Sequence, residues 1–440
     1  MARKVAFYTL GCKANQYDTA VLIAAFKKRG YDVVDFGEEA DVYVINTCAV
    51  TGRSEAKSRQ AIRRAKRLNP DAVVCVSGCY PQVAADRITS MPEVDVVAGT
   101  TERSSLPDRV DEYLRTGRRL MCVGPVWSCR SFEEAEALEY QGRTRAFLKI
   151  EDGCDHFCTY CIVPFARGPV RSLPPERVLE EARRLATAGF REIVLTGIHL
   201  GRYGKDLRSE DGRGVELADV LRSLNDVEGL ERIRLSSVEP QDITPALVDA
   251  VAGLKKVCPH LHVPLQSGSD RILEAMNRGY TSLEYLELVE DLRGRVADLG
   301  LTTDVIVGFP GETEEDFLKT CDVVRAARFS RLHVFPYSAR EGTRAASMGD
   351  QVPRTIREQR SRSLIRLGKQ LSYEFHKNLV GRTVRVLVEE HSAAGLLEGF
   401  TGNYVRVRFP GPNEVKGKFV DIVVRTATAE GVGGEMRGRE

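Results

Sequence analysis

A chain of 440 residues is longer than one typical domain, so two or three are expected, and an apolar fraction of 42% with a net charge of +2 excludes a disordered polyelectrolyte. No stretch approaches the ~20 apolar residues of a membrane span, so no membrane contact is expected. The opening apolar run ends at Gly11 with no small-residue cleavage site and reads as a first strand, not a signal peptide. A cytoplasmic protein is therefore expected, in which patterned cysteines point to metal ligation or catalysis and not to a disulfide framework.

From residue 3 to about 115, short β-branched runs alternate with helical patterns, with strands near 4–9, 32–35, 41–47, 72–77 and 94–98 and helices near 18–29, 53–68, 81–90 and 103–115. That alternation predicts an α/β domain over 1–115, a parallel sheet with helices on both faces. Residues 116–143 read as a connecting segment. Strands near 146–150, 191–197, 231–236, 260–264, 301–307 and 331–336 predict an open (β/α)6 barrel within a second domain over 144–376, which ends on a basic helix at 353–377. Period-two runs at Thr383–Val388 and Asn403–Phe409 predict a small all-β barrel over 377–440, with a frayed glycine-rich end after about Ala429.

Cys154, Cys158 and Cys161 form a CxxxCxxC loop directly after the strand Phe147-Leu-Lys-Ile150. Three thiolates in eight residues can hold three irons of a [4Fe–4S] cubane and leave the fourth iron open for a substrate. The zinc alternative needs a fourth ligand, for which His156 is the available residue. Cys12, Cys48 and Cys79 lie just beyond three strand C-termini, which share one edge in a parallel sheet, so they can converge on a second cluster although far apart in sequence. Cys75 reads as a buried small apolar residue, and Cys122, Cys129, Cys258 and Cys321 as packing or surface residues. His260 and His262 read as ordinary strand residues, since His-x-His lacks further ligands.

CxxxCxxC after a barrel's first strand resembles the radical S-adenosylmethionine (SAM) superfamily. Leu195-Thr-Gly-Ile-His-Leu-Gly201, Leu235-Ser-Ser-Val-Glu-Pro240, Val263-Pro-Leu-Gln-Ser-Gly268 and Val305-Ile-Val-Gly-Phe-Pro-Gly-Glu312 follow in order at successive strand ends. The resemblance implies that SAM chelates the open iron and is cleaved to a 5′-deoxyadenosyl radical. It also implies SAM contacts from the Tyr160 backbone and from Gly197, Ser237, Glu239, Gln266 and Gly308. Thr196-Gly197-Ile198 departs from the family's Gly-Gly-Glu at the methionine-binding position.

Thr9-Leu-Gly-Cys-Lys-Ala-Asn-Gln-Tyr-Asp18, Ile45-Asn-Thr-Cys-Ala-Val50 and Ser77-Gly-Cys-Tyr-Pro81 resemble the N-terminal domain of methylthiotransferases, and the β module resembles a TRAM domain, a small RNA-gripping barrel. Gly-Cys-Lys-Ala-Asn is similar to the branch that converts N6-threonylcarbamoyladenosine at position 37 of tRNA into its 2-methylthio derivative. The resemblance implies two [4Fe–4S] clusters, the first carrying or receiving the sulfur. Its implied partners are the tRNA anticodon stem-loop, an electron donor such as a flavodoxin or ferredoxin, and a sulfur donor. Three alternatives stand beside it: the same chemistry on isopentenyladenosine, on a ribosomal protein side chain, or a nonenzymatic iron–sulfur RNA-binding protein.

Charge is clustered although the net is small. Basic helices at 53–67 and 353–377, with Arg382, Arg406, Arg408, Lys416 and Lys418 in the β module, favour phosphate contacts over mere solvation.

Overall fold

The computed structural model describes residues 2–133, 144–207, 214–391 and 395–438. The first sheet is fully parallel, built from β1 (Lys4–Thr9), β2 (Asp32–Val34), β3 (Val42–Thr47), β4 (Val73–Gly78), β5 (Val96–Ala98) and β6 (Leu120–Cys122) in the order β2-β1-β3-β4-β5-β6. β3 and β4 are buried throughout, and apolar clusters cover both faces of the sheet. β6 lies inside the segment expected to be a plain connector. Its three residues are too few to show an alternating pattern, and only pairing with β5 makes it a strand.

Helix α1 (Lys13–Lys28) begins five residues before the expected start at 18. Gly11, at φ +105°, turns the chain sharply after β1, and the Asn15 amide ties that turn to the carbonyls of Leu10 at 2.7 Å and Thr47 at 2.9 Å. Helix α2 spans Gly52–Leu68, capped by the Thr51 hydroxyl. The helix expected over 81–90 is two short ones, α3 (Cys79–Val83) and α4 (Ala85–Thr89), broken where Ala84 leaves helical geometry at φ −148°. Helix α5 (Leu106–Thr116) completes the layer.

The second unit opens with β7 (Arg145–Lys149). A two-stranded hairpin of β8 (Glu151–Asp152) and β9 (Arg171–Ser172) then brackets the CxxxCxxC loop and helix α6 (Val163–Arg167). After α7 (Pro175–Thr187) comes β10 (Glu192–Thr196). Then α8 (Leu217–Asn225), β11 (Arg232–Leu235), α9 (Pro245–Gly253), β12 (His260–His262), α10 (Asp270–Ala275), α11 (Ser282–Arg295), β13 (Gly300–Val307), α12 (Glu314–Ala327) and β14 (Arg331–Pro336) follow. The parallel sheets β11-β10-β7 and β12-β13-β14 join through parallel bridges Ile233↔Val257 and Ser237↔His262, giving the expected open six-stranded barrel. Its strand C-termini gather the loops at one mouth.

Helix α13 (Arg354–Lys377) leads to a closed barrel of β15 (Thr383–His391), β16 (Leu397–Phe400), β17 (Arg406–Phe409), β18 (Phe419–Thr428) and β19 (Gly431–Met436), in the order β15-β16-β17-β19-β18. β19 corrects the expectation of a frayed end. Its glycines are what let it close the barrel: a Cβ on Gly433 would lie 2.5 Å from Thr426 Oγ1, and one on Gly434 2.5 Å from the Val423 carbonyl.

The β module also seals the bottom of the catalytic barrel. Tyr404, at φ +67°, stacks under it: the Arg234 guanidinium sits 4.3 Å from its ring centre and that of Arg145 5.5 Å, and the His260 ring meets it edge-on at 4.8 Å. Arg234 donates to the carbonyls of Thr401 and Gly402 at 3.0 and 2.8 Å, and Arg232 to those of Phe400 and Arg385 at 3.0 and 3.1 Å. Removing the module would strand these buried guanidinium groups. Truncation after Lys377 is therefore expected to unfold the catalytic barrel, and Tyr404→Ala to destabilise it by about 2 kcal/mol or more, through the cavity and the lost cation–π contacts. Thermal melts of the two variants check this; a truncated chain with an unshifted Tm would show that the module is a mere appendage.

Candidate functional site

Cys12, Cys48 and Cys79 stand at one edge of the first sheet. They follow β1, β3 and β4, adjacent strands in register through Thr9↔Asn46 and Thr47↔Gly78. A Cβ on Gly11 would fall 2.9 Å from Cys48 Cβ and 3.2 Å from its Sγ, so only glycine lets these loops meet. The three thiols lie within electrostatic reach of one another. Cys79 is buried, and the Arg167 guanidinium of the second unit donates from Nε to its Sγ at 3.3 Å.

Arg167 belongs to a buried charge network that ties the two units together. It donates to Asp18 at 2.8 Å and Asp152 at 3.1 Å, and also binds the Asn15 side chain. Lys149 reaches Asp18 at 2.6 Å and Asp152 at 2.9 Å, and Arg103 reaches Asp18 at 3.2 Å. Burial alone would raise the Asp18 pKa, but Arg103, Lys149 and Arg167 outweigh it and hold the carboxylate below its usual range. Three cations face two buried carboxylates, with Glu133 pairing Arg103 at the edge at 2.7 Å, and the network is costly to break by removing one member.

Around the second set, the Cys158 N–H bonds the His156 carbonyl at 3.0 Å and the Cys161 N–H the Cys158 carbonyl at 2.9 Å, winding the loop tightly, and the three thiols lie within electrostatic reach of one another. Two of the thiols have their own supports. Cys154 Sγ accepts from the His156 N–H at 3.4 Å and lies 3.4 Å from His199 Nδ1, while His199 Nε2 is 2.6 Å from Asp242 Oδ2. Cys158 Sγ accepts from Arg278 Nη1 at 3.4 Å, and Arg278 pairs with Glu239. Neither Arg167, Arg278 nor His199 follows from cysteine spacing; His199 stands in the Leu195–Gly201 motif, but its role appears only once Asp242 is placed behind it.

Both sites fit a cubane by donor chemistry: three thiols each, with N–H donors turned to sulfur and no carboxylate among the candidate ligands. His156, the residue a zinc site would take as its fourth ligand, is turned to another partner. Its Nε2 is engaged instead with the Asn277 carbonyl at 3.0 Å. Burial pushes the Cys48 thiol up to about 11 and the Cys161 thiol up to about 12. Because ligation requires thiolate, cluster loading must expel protons, and it becomes more favourable as pH rises toward those values. Reconstitution from about pH 6.5 to about pH 8.5 is expected to give steadily more bound iron at limiting sulfide; a flat profile would show the thiols already ionised.

A cleft enclosing about 700 Å³ of solvent-open space lies beside the second set, with Cys161 in its wall. Val50 and Thr51, just past Cys48, line it from the first unit, and Tyr160, Cys161, Gln266, Asp304 and Phe335 from the barrel. Of the residues expected to contact SAM, Tyr160 and Gln266 therefore border this cleft. Gln266, at φ +62°, is stitched to β13 through its own N–H and carbonyl, each at 2.9 Å. Ser237 is exposed and bridges to His262. Glu239 is committed to Arg278, and the small size of Gly197 and Gly308 has a packing cause: Glu151 fills the space beside Gly197, and the Arg357 side chain that beside Gly308. The Arg357 side chain thus covers the face of Gly308 on which a Cβ would stand.

Among the residues expected to hold RNA, Arg406 and Arg408 share one face, flanking Glu398 at 3.0 and 2.8 Å. Lys416 and Lys418 are exposed. Arg382 instead clamps Asp298 of the barrel at 2.6 and 2.9 Å. On α13, Arg360 is buried against Glu312, so that helix is less free for phosphate than its composition implies. On α2, Arg53, Lys57, Arg63, Arg64 and Arg67 are exposed.

The fold and the cysteine loop define a radical SAM enzyme: the radical SAM superfamily model matches residues 148–324, and the model described as uncharacterized protein family UPF0004 matches 4–99. The solved structure of the radical SAM methyltransferase TsrM from Kitasatospora setae shares the fold at a TM-score of 0.57 and 17% identity, over 78% of this chain and 75% of that one. The threonylcarbamoyladenosine tRNA methylthiotransferase MtaB of Bacillus subtilis is 43% identical over 96% of this chain and 94% of its own length. Its namesake from Aquifex aeolicus is 41% identical over 96% and 100%. The tRNA-2-methylthio-N(6)-dimethylallyladenosine synthase of Pelotomaculum thermopropionicum is 38% identical over 97% and 96%. The chain belongs to the radical SAM methylthiotransferase family.

Proposed function

We propose that this chain is a cytoplasmic tRNA methylthiotransferase that converts N6-threonylcarbamoyladenosine next to the anticodon into its 2-methylthio derivative. The carrying observation is the cleft lined by Cys161 from the barrel and by Val50 and Thr51, just past Cys48, from the first unit, in a chain 43% identical along nearly its whole length to a relative named for that activity. Cys154, Cys158 and Cys161 would hold the SAM-binding [4Fe–4S] cluster, and Cys12, Cys48 and Cys79 a second. When bound, these groups supply the radical chemistry and sulfur needed to replace an aromatic C–H that no acid or base of the chain could ionise at useful rates.

The chain's own residues position and seal. Arg278 and the His199–Asp242 pair hold the sulfurs of Cys158 and Cys154, and Arg167 that of Cys79, each through a side chain with no freedom to turn away. Lys149 and Arg167 lock the two units at a fixed separation, which keeps the cleft at one width for a nucleobase. Phe335 and Val50, both exposed at its mouth, offer apolar faces for base stacking. The exposed arginines of α2 start beside Thr51 and, with Arg406, Arg408, Lys416 and Lys418, supply cations for the stem-loop backbone. An external electron donor of the flavodoxin or ferredoxin class and a sulfur donor complete the reaction. Within this reading, 1–115, 144–376 and 377–440 act as sulfur-handling, radical and RNA-holding domains. Nucleoside mass analysis of tRNA from cells with and without the gene tests it: loss of the 2-methylthio form with accumulation of threonylcarbamoyladenosine is expected, and loss of the isopentenyl derivative instead would reassign the substrate.

A further inference from the structure

A groove lies where helix α13, strand β14 and the β module meet, enclosing about 830 Å³ of solvent-open space. Arg331, Lys369 and Arg406 line it, together with the buried Ser372 and His376. A second hollow of about 390 Å³ shares Arg406 and Glu430 with it and adds Arg408, so the two form one track across the face of the module. The track is short of negative charge. Glu430 is the one carboxylate among its described lining residues and meets Lys369 at 3.2 Å, with both side chains more than half exposed. Arg406 and Arg408 divide the single carboxylate of Glu398 between them, at 3.0 and 2.8 Å. The Arg331 guanidinium is exposed and has no ion pair or hydrogen bond among the described residues. Cations held this close together repel one another, and an arriving polyanion relieves that repulsion.

Strand β14 joins this track to the cleft. Phe335 and Pro336 at its carboxyl end line the cleft, and Arg331 and Leu332 at its amino end line the track. Leu332 faces α13, where Gly368 lets the helix come close: a Cβ there would lie 2.9 Å from Leu332 Cβ. By the two-residue period of a strand, Arg331, His333 and Phe335 share the opposite face. β14 is an outer strand of its sheet and β7 an outer strand of the other, and no ladder joins them among the described residues, so the barrel is open along that side. Four residues at about 3.3 Å each place Arg331 about 13 Å from Phe335. Phosphates follow a stacked strand at about 3.4 Å of axis apiece, so that distance corresponds to roughly four nucleotides. Cations that meet phosphate carry no sequence information, but they fix register. We infer that the track from Arg331 to Arg408 binds backbone phosphates of the stem-loop roughly four nucleotides from the target base, and thereby measures which base enters the cleft. The inference rests on the tRNA reading above, and not on its choice between N6 groups.

The test uses the reconstituted full-length enzyme and anticodon stem-loops that carry one uncharged methylphosphonate linkage, moved a position at a time along the strand. Binding of each is measured over a salt series for the wild type, Arg331→Gln and Arg331→Lys. In the wild type, neutralising a linkage roughly four nucleotides from the target base should weaken binding about fivefold, the size of one partly solvated ion contact. In Arg331→Gln the same linkage should be silent. On the all-phosphate RNA, Arg331→Gln should lower the log–log salt slope by roughly 0.7 to 0.9, and Arg331→Lys should retain it. Lys369→Gln, at an exposed site, should silence the same or the adjacent linkage, which keeps the test decisive if Arg331→Gln melts early. Linkage effects that are identical in the wild type and in these Gln variants overturn the inference, as does an unchanged salt slope. Stem-loops with threonylcarbamoyl and with isopentenyl groups should give one map, because the track touches backbone alone. Failure of both to bind would reject the tRNA reading and the track with it, whereas tight binding with no linkage coupled to Arg331 or Lys369 would reject the track alone.

Discussion

With Cys154, Cys158 and Cys161 all replaced by Ala, the anaerobically reconstituted protein is expected to hold about four irons per chain in place of about eight, and to lose reductive cleavage of SAM completely. The reason is local. These thiols lie on one loop bracketed by β8 and β9, and Cys158 and Cys154 are each supported by a different element, Arg278 and His199. Removing them leaves the Arg278–Glu239 pair and the hairpin intact, so the fold should survive. Iron and sulfide assays with detection of 5′-deoxyadenosine on reduction check this, and an unchanged iron load in the triple variant would reject the loop as a cluster site.

The matching replacement of Cys12, Cys48 and Cys79 is expected to separate the two halves of the reaction. Iron should again fall to about half, but 5′-deoxyadenosine should still form while methylthio product vanishes. The two cysteine sets stand on different units, and Arg278 and the His199–Asp242 pair belong to the barrel, so the radical site keeps its own supports when the other is emptied. The weak point is Cys79, which accepts from Arg167 inside the buried charge network. A control in which only Cys12, the exposed member, becomes Ala avoids that network. Loss of SAM cleavage in the Cys12→Ala variant would show that the sites do not divide the chemistry.

Much of this site was legible in the chain before any coordinates, for two physical reasons. The CxxxCxxC loop is local, so its spacing alone brings the thiols together. Cys12, Cys48 and Cys79 are distant in sequence, but each follows a β-branched run, and parallel strands place their C-termini on one edge. What stayed hidden depends on contacts between units. Arg167 meets Cys79 across an interface, Arg278 reaches Cys158 from the loop after α10, and Tyr404 meets Arg145, Arg234 and His260, each more than a hundred residues earlier in the chain; none of these leaves a periodic or spaced trace. Arg382 and Arg360 read as free basic residues because composition cannot show Asp298 and Glu312 beside them. β19 was missed because glycine lowers strand propensity, although at Gly433 and Gly434 the absence of a side chain is what permits pairing.

The most direct test of the account is a single-turnover reaction: the doubly loaded, reduced enzyme is mixed with SAM and a threonylcarbamoyladenosine stem-loop, and the RNA is digested for nucleoside mass analysis. The account predicts a nucleoside heavier by one methylthio group in place of the C2 hydrogen, formed by the wild type and absent from both triple-cysteine variants. Product from the variant lacking Cys12, Cys48 and Cys79, or none from the wild type despite 5′-deoxyadenosine formation, would contradict it.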